Sequence, residues 1–195
     1  REYETDFPGF GRTFPHPFGA GDDKYFTTRL TLSPAGDELT LDFAKALLDN
    51  EDLGQDEVPD YLAVSFSSTD YVGHIFGASS LESEDNLARL DRTLAALFAH
   101  IDEKVGLENT LIVLSADHGQ PEIPGYLREL GMEDARHFDT DALDKAPAIA
   151  ALKARFGIAE ELIEAFFQPY VYLNRNLIRE NGLDQAEVET AVAEE

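Results

Sequence analysis

Two pairs of side chains in this sequence could bind a metal ion. Asp70 and His74 lie four residues apart in "FSSTDYVGH", and Asp117 and His118 are adjacent in "LSADHG". Carboxylate oxygens and imidazole nitrogens are good ligands for zinc and similar divalent ions. Four ligands shared between two ions would leave each ion short of its usual four. The residue types therefore predict a metal site, for one or two ions, that needs further ligands.

Each pair also has an ordinary structural explanation. Asp70 could cap a turn and His74 could be a polar loop residue, because an isolated D-x-x-x-H spacing often arises by chance. "DHG" alone is equally unspecific, since Asp after a strand is commonly a cap and Gly a turn residue. What favours metal binding is that both pairs follow similar apolar runs.

The elements that would position these pairs form a strand–helix–strand unit. "DYLAVSFSS" and "NTLIVLSADHG" each contain a short apolar run, which is typical of interior strands in a mostly parallel sheet. Between them, apolar residues recur at steps of three and four after a candidate N-cap at Ser83, which predicts a long helix. Parallel strands bring their carboxyl ends to one sheet edge, where ligands collect. Both pairs are therefore expected at the same edge.

The remaining elements complete one predicted α/β domain over residues 1–195. Residues 1–37 are rich in Phe, Gly, Pro and Thr and predict an irregular segment packed by its aromatics. Residues 38–119 hold a first helix around 38–50 and the strand–helix–strand unit. Residues 120–195 predict helices in "PEIPGYLRELG", "DALDKAPAIAALKARFG" and "LDQAEVETAVAEE" and a strand in "PYVYLN". The expected architecture is a parallel-rich central sheet flanked by helices on both faces.

Composition narrows the functional classes. Fifteen basic against thirty-nine acidic residues give a formal charge of −24, which argues against nucleic-acid binding through a basic surface. A solvated acidic surface explains this charge better than an acidic-partner role, and it should repel anionic substrates unless bound cations reverse the field. Cysteine is absent, which excludes disulfides, thiolate metal sites and a cysteine nucleophile within this chain. No apolar run reaches the ~18 residues of a membrane span.

Both ends of the chain look like cuts. The sequence begins at Arg1 and stops in "EVETAVAEE", a helical pattern without a cap or a Gly/Pro stop. We therefore expect a fragment of a longer protein, with a fold that is incomplete at both ends.

The paired motifs resemble those of a known family. "PDYLAVSFSSTDYVGHIFG" followed by "LIVLSADHG" resembles the alkaline phosphatase superfamily, and within it the monomeric alkaline phosphatases with a threonine nucleophile. These proteins are related to the nucleotide pyrophosphatase/phosphodiesterases. "ETDFPGFGRTFPHPFG", "GDELTLDFAKALL" and "QPYVYLN" are similar to stretches of the same proteins, so the resemblance covers most of the chain.

The resemblance implies a hydrolase of small phosphate monoesters that contains two zinc ions. Asp70 and His74 match the ligands of one zinc, and Asp117 and His118 match ligands of the other. The implied reaction is an in-line displacement, in which one ion activates the nucleophile and the other steadies the leaving oxygen. Members of the family are usually exported, which implies a periplasmic or secreted protein. Neither membrane insertion nor nucleic-acid binding is expected, and the oligomeric state stays open.

The departures from the family pattern are equally informative. The family carries an aspartate ligand, the threonine nucleophile and phosphate-binding Lys and Arg residues before this region, and a further histidine ligand after it. None of these is assigned within the 195 residues. No catalytic residue is therefore assigned here, and we expect the chain alone to bind metal poorly and to show no turnover.

Several other candidates are set aside. His137 lies in an acidic stretch that is typical of a solvated loop, and His100 is expected to be structural. Ser67, Ser68 and Thr69 lack a G-x-S-x-G elbow, so we interpret them as strand-end and turn residues that orient Asp70. Asp139, Asp141 and Asp144 lack the glycine and glutamate of an EF-hand. His16, inside the aromatic segment, is predicted to border the active site.

The sequence leaves three functional hypotheses. The first is part of a zinc-dependent alkaline phosphatase. The second is a phosphodiesterase or nucleotide pyrophosphatase that uses the same metals, and the third is a non-catalytic acidic binding module that keeps the fold. Zinc content separates the module from the enzymes, and the preference for monoesters or diesters separates the two enzymes.

Overall fold

The computed structural model describes residues 5–167 and 169–195. Two short parts of the predicted elements lie outside these residues: residues 1–4 of the irregular segment and Gln168 of "QPYVYLN". The chain divides into two compact units, of which the first ends at Ala135 and the second is Arg136–Glu195. Among the described residues, no helix combines the length and the apolar character that crossing a membrane requires.

The first unit is mainly helical. Its helices are α1 (Phe26–Thr31), α2 (Pro34–Asn50), α3 (Ser68–Phe76), α4 (Leu81–Lys104) and α5 (Pro124–Glu129), with a 3₁₀ turn at Leu107–Asn109. Proline occupies the first position of α2, where its missing N–H costs nothing. The Ser80 hydroxyl accepts the N–H of Ser83 and caps α4. The predicted helix around 38–50 is therefore confirmed with an earlier start, and the N-cap of the long helix is Ser80 rather than Ser83.

Helix α4 is the element against which α2 and α3 pack. Between α2 and α4, the buried core consists of Leu41, Ala44, Leu48 and Leu97. A second cluster joins α3 to the aromatic segment before it and consists of Phe10, Leu32, Val72 and Phe76. Because α3 is only nine residues long, this packing rather than intrinsic propensity holds it in place.

The segment before α2 is anchored by a buried arginine. Arg29 of α1 is 3% exposed and donates hydrogen bonds to the backbone oxygens of Pro8 and Phe18 and to the Asp23 carboxylate. Gly9 allows this close approach, since a Cβ there would lie 2.2 Å from the guanidinium. The expectation that residues 1–37 are wholly irregular is wrong, because α1 and the start of α2 lie within them.

The two predicted parallel strands are not confirmed. The only sheet in residues 5–167 and 169–195 is the antiparallel pair β1 (Ile163–Phe167) and β2 (Tyr170–Leu173). A strand requires a neighbour for its N–H and C=O groups, and within the described chain neither segment has one. Residues 61–66 still alternate between exposed and half-buried positions, as an extended segment does. Residues 111–118 are exposed throughout, with Leu111 at 90%.

The second unit packs helices around the β1–β2 hairpin. Its other elements are a 3₁₀ helix (Thr140–Lys145), α6 (Pro147–Phe156), α7 (Arg175–Glu180) and α8 (Gln185–Ala193). Helices predicted in "DALDKAPAIAALKARFG" and "LDQAEVETAVAEE" and the strand in "PYVYLN" are confirmed. Strand β1 and helix α7 were not anticipated. The core contains Leu162, Ile178 and Val188, which are at most 1% exposed.

A buried carboxylate links the 3₁₀ helix, α6 and β1. Asp144 Oδ1 accepts the backbone N–H groups of Leu162 and Ile163 at 2.8 and 2.7 Å, and its Oδ2 lies 2.5 Å from Lys153 Nζ. Burial raises the pKa of Asp144, but the hydrogen bonds from Lys153 and from the two backbone N–H groups lower it more, so the net pKa is below 3.8. Asp144 is thus a structural residue rather than a calcium ligand.

We expect Asp144→Asn to lower the free energy of unfolding by about 1.5–3 kcal/mol, because it leaves Lys153 without its charged partner. Since the folded-state pKa is depressed, the contribution of Asp144 is fully present above its ordinary value of 3.8 and is lost as the pH falls through the lower folded value. Urea denaturation of the wild type and the variant at neutral and acidic pH measures both effects.

The matched control is Asp141→Asn on the same 3₁₀ helix, where the side chain is exposed. That variant should change the free energy of unfolding by no more than about 0.5 kcal/mol. Equal losses in the two variants would contradict the role of Asp144.

Candidate metal centre

Asp70 and His74 lie on one face of helix α3. Their spacing of four residues corresponds to about one helical turn, and His74 Nε2 lies 3.1 Å from Asp70 Oδ1. Asp70 is in the first turn, where the helix dipole favours a negative charge, and His74 is in the last turn. The interpretation of Ser68 and Thr69 as strand-end or turn residues is wrong, because both are already helical, whereas Ser67 does lie in a turn.

The third member of the cluster is His118, from the second motif. Its Nε2 lies 3.2 Å from Asp70 Oδ1, and the His74 and His118 rings are tilted by 56° with centroids 5.3 Å apart. One ligand atom from each of the three residues lies within 4.8 Å of the others. All three side chains are between 40% and 52% exposed, so the cluster is open to solvent.

The donor set and its spacing fit a small divalent cation. Zinc bonds of about 2.0–2.1 Å in a tetrahedral site place neighbouring ligand atoms about 3.3 Å apart. The two distances from Asp70 Oδ1 to the histidine nitrogens, 3.1 and 3.2 Å, are close to that value. A single histidine–carboxylate ion pair has a similar distance. The feature that favours a metal ion is that two imidazoles converge on one carboxylate oxygen.

Asp117 lies beside this cluster rather than within it. Its side chain is 86% exposed, and its Oδ2 is 3.8 Å from His118 Nε2. The structure therefore brings Asp70, His74 and His118 together and leaves Asp117 at the edge. The assignment of Asp70 and His74 to one ion, and of Asp117 and His118 to another, stays a prediction.

Hydrogen bonding leaves one ring nitrogen of His118 facing the cluster. Its Nδ1 lies 2.9 Å from the Gly119 backbone oxygen, which can only accept, so this nitrogen carries the proton. The bond to the Gly119 oxygen raises the pKa of His118, and the Asp117 and Asp70 charges add to it. In neutral His118, Nε2 is then the nitrogen with a free lone pair, which is the form that binds metals.

Two buried side chains fix the first turn of α3 from neighbouring helices. Asp37 of α2 accepts the Ser68 N–H at 3.1 Å, and Asn86 of α4 donates to the Thr69 hydroxyl at 2.8 Å. Both are at most 2% exposed. Burial raises the pKa of Asp37, partly offset by hydrogen bonds from Ser68. Thr69 and Ser68 are thus bound to the helices around them, next to Asp70.

Sequence reasoning missed one neighbour of the cluster, Gln120. Its Nε2 lies 3.1 Å from Asp70 Oδ1 and 3.3 Å from the Asp70 backbone oxygen. The only signal in the sequence is its position two residues after His118, since glutamine is an ordinary residue after a turn. Its place was therefore not predictable from residue type.

The other histidines lie outside the three-residue cluster. The His16 ring stacks against both Phe10 and Phe76, and its Nε2 lies 2.7 Å from Glu82 Oε1. It therefore joins the aromatic segment to the end of α3 and the start of α4, and its predicted place at an active-site border stays a prediction. His100 bonds to Asp49 of α2 at 3.1 Å, which agrees with the structural role expected for it.

Comparison with known proteins assigns the chain that carries this cluster to a family. The model of the type I phosphodiesterase / nucleotide pyrophosphatase family matches residues 11–193. Alkaline phosphatase PafA of Elizabethkingia meningoseptica is 38% identical over 183 residues, which are 94% of this chain and 33% of that protein. A Myroides odoratus protein named calcium-transporting ATPase is 40% identical over 189 residues, 95% of this chain and 34% of its own length.

Alkaline phosphatase PhoV of Synechococcus elongatus is 45% identical over 129 residues, which are 66% of this chain and 23% of that protein. The crystal structure of wild-type PafA superposes with a TM-score of 0.76 at 36% identity and covers 95% of this chain. The chain corresponds to 35% of that structure, so it spans about a third of the length of these relatives. It belongs to the type I phosphodiesterase / nucleotide pyrophosphatase family, within the alkaline phosphatase superfamily.

Proposed function

We propose that this chain is part of a zinc-dependent alkaline phosphatase that hydrolyses small phosphate monoesters. The observation that carries the proposal is the convergence of Asp70, His74 and His118 from two separate motifs. The names of the relatives support the reaction class, since several of them are alkaline phosphatases.

In the proposed arrangement two zinc ions are bound, one by Asp70 and His74 and one by Asp117 and His118. Bound zinc supplies positive charge next to the phosphoryl group and lowers the pKa of an oxygen nucleophile. The chain holds the ligand atoms that this requires: Asp70 Oδ1 between two imidazoles, and His118 with its Nδ1 bound to Gly119. In this arrangement the exposed side chain of Asp117, whose Oδ2 lies 3.8 Å from His118 Nε2, would rotate to bind the second ion together with His118.

A phosphodiesterase of the same superfamily is the second candidate. The family description itself names phosphodiesterases and pyrophosphatases, and their reaction would use the same ligands. We favour the monoester reaction because relatives at 38% and 45% identity are named alkaline phosphatases. A non-catalytic module is disfavoured by the convergence of three potential metal ligands.

We also propose that the catalytic nucleophile and the remaining ligands belong to other parts of a longer protein. The exposed apolar side chains support this view, since Leu111, Val113 and Leu114 are 90%, 80% and 74% exposed. Burying such side chains is worth about 1.5–3 kcal/mol each, so a stable protein would cover them. Residues 61–66 and 111–116 would then be strands of a larger, parallel-rich sheet, in a single domain that includes both compact units.

We also propose that the protein is exported to the periplasm or the medium. The support for export is the family resemblance. Small phosphate esters are the proposed substrates. The acidic surface supports neither nucleic-acid binding nor attraction of phosphate in the absence of metal ions.

We expect Asp70→Asn, His74→Ala and His118→Ala, made singly in the full-length protein, each to lower zinc affinity by at least about tenfold, because each removes one ligand atom. Competition with a chromophoric zinc chelator measures the affinity, and elemental analysis gives the number of ions bound. Asp117→Asn should reduce the tightly bound zinc from two ions to one.

The matched control is His137→Ala, which changes an exposed histidine in the second unit and should leave zinc binding unchanged. Full zinc content in all the ligand variants would contradict the metal site. Unchanged stoichiometry in Asp117→Asn alone would contradict the two-ion assignment.

We expect the full-length protein to hydrolyse p-nitrophenyl phosphate faster than bis-p-nitrophenyl phosphate, with activity lost on chelation and restored by zinc. The 195-residue chain alone should show no turnover, because no catalytic nucleophile is assigned within it. Release of p-nitrophenol gives both rates. Faster diester cleavage would favour the phosphodiesterase, and turnover by the isolated chain would refute the assignment of the nucleophile to another segment.

A further inference from the structure

We infer that Gln120 is a positioning residue, whose side-chain amide holds the Asp70 carboxylate in the orientation that binds a metal ion. This inference rests on the proposed metal-binding function. Gln120 lies between the second motif and helix α5. Its side chain carries an amide, which is not a usual metal-binding group, and this amide contacts the potential ligand Asp70.

The contact involves two hydrogen bonds to one residue. Gln120 Nε2 lies 3.1 Å from Asp70 Oδ1 and 3.3 Å from the Asp70 backbone oxygen. Both partners can only accept, so the NH₂ group rather than the amide oxygen must face Asp70. One amide that bridges a backbone oxygen and a carboxylate oxygen restricts the rotation of the carboxylate about its side-chain bonds.

The same contact leaves the carboxylate free to bind an ion. A carboxylate oxygen has two lone-pair positions. Gln120 occupies one position on Asp70 Oδ1, and in this inference the other serves the ion, since the Nε2 atoms of His74 and His118 lie 3.1 and 3.2 Å from the same oxygen. A neutral donor suits this place, because it stabilises the ionised carboxylate without bringing a second positive charge to the ion.

Gly73 provides the room that Gln120 needs. A Cβ at Gly73 would lie 2.6 Å from Gln120 Cδ and 2.9 Å from its Oε1. These contacts are too short, and the flexible glutamine side chain would have to move away from Asp70. The glycine between Asp70 and His74 is therefore explained by the approach of Gln120, since its position within α3 does not need a left-handed backbone conformation.

The backbone around Gln120 is fixed independently of that contact. Two residues later, the Glu122 carboxylate accepts hydrogen bonds from the backbone N–H and the hydroxyl of Ser79, between α3 and α4. The amide oxygen does not determine the orientation of the side chain, since Gln120 Oε1 is shielded from solvent and has no hydrogen-bond partner among the described residues. The hydrogen bonds of the NH₂ group to Asp70 therefore hold the amide in place.

The test uses four variants of the full-length protein: Gln120→Ala, Gln120→Leu, Gly73→Ala and the double variant Gln120→Ala/Gly73→Ala. Gln120→Leu keeps much of the side-chain volume but removes the NH₂ donor and adds no group that could bind zinc. Zinc affinity is measured by chelator competition, and the visible absorption of the cobalt(II)-substituted protein reports the ligand geometry. Thermal unfolding of the metal-free proteins reports the fold.

We expect Gln120→Ala and Gln120→Leu each to lower zinc affinity by about 10–100-fold, as for other groups that orient metal ligands. The cobalt spectrum should change in both, while the unfolding temperature of the metal-free protein stays near that of the wild type. Gly73→Ala should lower zinc affinity in the wild type and cause little further loss in Gln120→Ala, because the side chain that it displaces is gone.

Gln55→Leu is the matched control, since Gln55 is an exposed glutamine of the same unit, and it should leave zinc affinity unchanged. Zinc affinity within about twofold of the wild type in both Gln120 variants would overturn the inference, as it is far below the effect of an orienting group. Additive losses from Gly73→Ala and Gln120→Ala would overturn the role given to Gly73. A wild-type protein that binds no zinc would instead refute the proposed function itself.

Discussion

The hydrogen bonds that neighbouring helices make to the first turn of α3 are the interactions on which the candidate site depends. Asp37 accepts the N–H of Ser68, and Asn86 donates to Thr69, immediately before Asp70. A nine-residue helix is marginal by itself, so these bonds and the packing of Val72 and Phe76 determine where its ligands lie. In the described chain, Asp37 Oδ2 and Asn86 Oδ1 are buried without hydrogen-bond partners. Burying such groups lowers the free energy of unfolding, so the hydrogen bonds that Asp37 and Asn86 make to α3 must offset this loss.

The same turn joins the two motifs into one site. Asp70 faces His74 through the geometry of its own helix, whereas His118 reaches it from a segment more than forty residues along the chain. That segment contains no helix or strand at His118. Its position comes from contacts made just after it, by Gln120 with Asp70 and by Glu122 with Ser79. Side chains in the loop after His118 therefore tie this motif to helix α3 and to the turn that follows that helix.

The sequence predicted which side chains come together better than it predicted the elements that carry them. Asp70, His74 and His118 were identified from residue type and spacing, and they do converge. The interpretation of Ser67, Ser68 and Thr69 as strand-end and turn residues held only for the turn at Ser67, because "SSTDYVGHIF" is too short for a helical period to be evident. The Asp37 and Gln120 contacts join residues far apart in the chain, and nothing local distinguishes these two from other polar residues.

The strand predictions illustrate a different limit. Apolar runs at 61–66 and 111–116 indicate segments suited to a buried sheet, but a strand also needs a hydrogen-bonding neighbour. Leu62, Val64 and Phe66 do pack on the core between α2 and α4, as one face of a strand would. Residues 111–114 have neither a paired backbone nor a covered face among the described residues. A sequence pattern can indicate a strand that is buried on both faces. It does not show which neighbouring strands and helices would cover those faces.

The electrostatics of the site connect the acidic composition to the metal. A net charge of −24 repels a phosphate ester, and two of these negative charges, on Asp70 and Asp117, lie at the proposed metal site. At physiological salt, charges more than about 8 Å away are largely screened, so the local groups decide the field. Two divalent cations would carry four positive charges against these two carboxylates and reverse its sign. Under the proposed function, the ions would therefore offset the local negative charge around a bound phosphate ester, and the acidic surface would affect substrate approach mainly at low ionic strength.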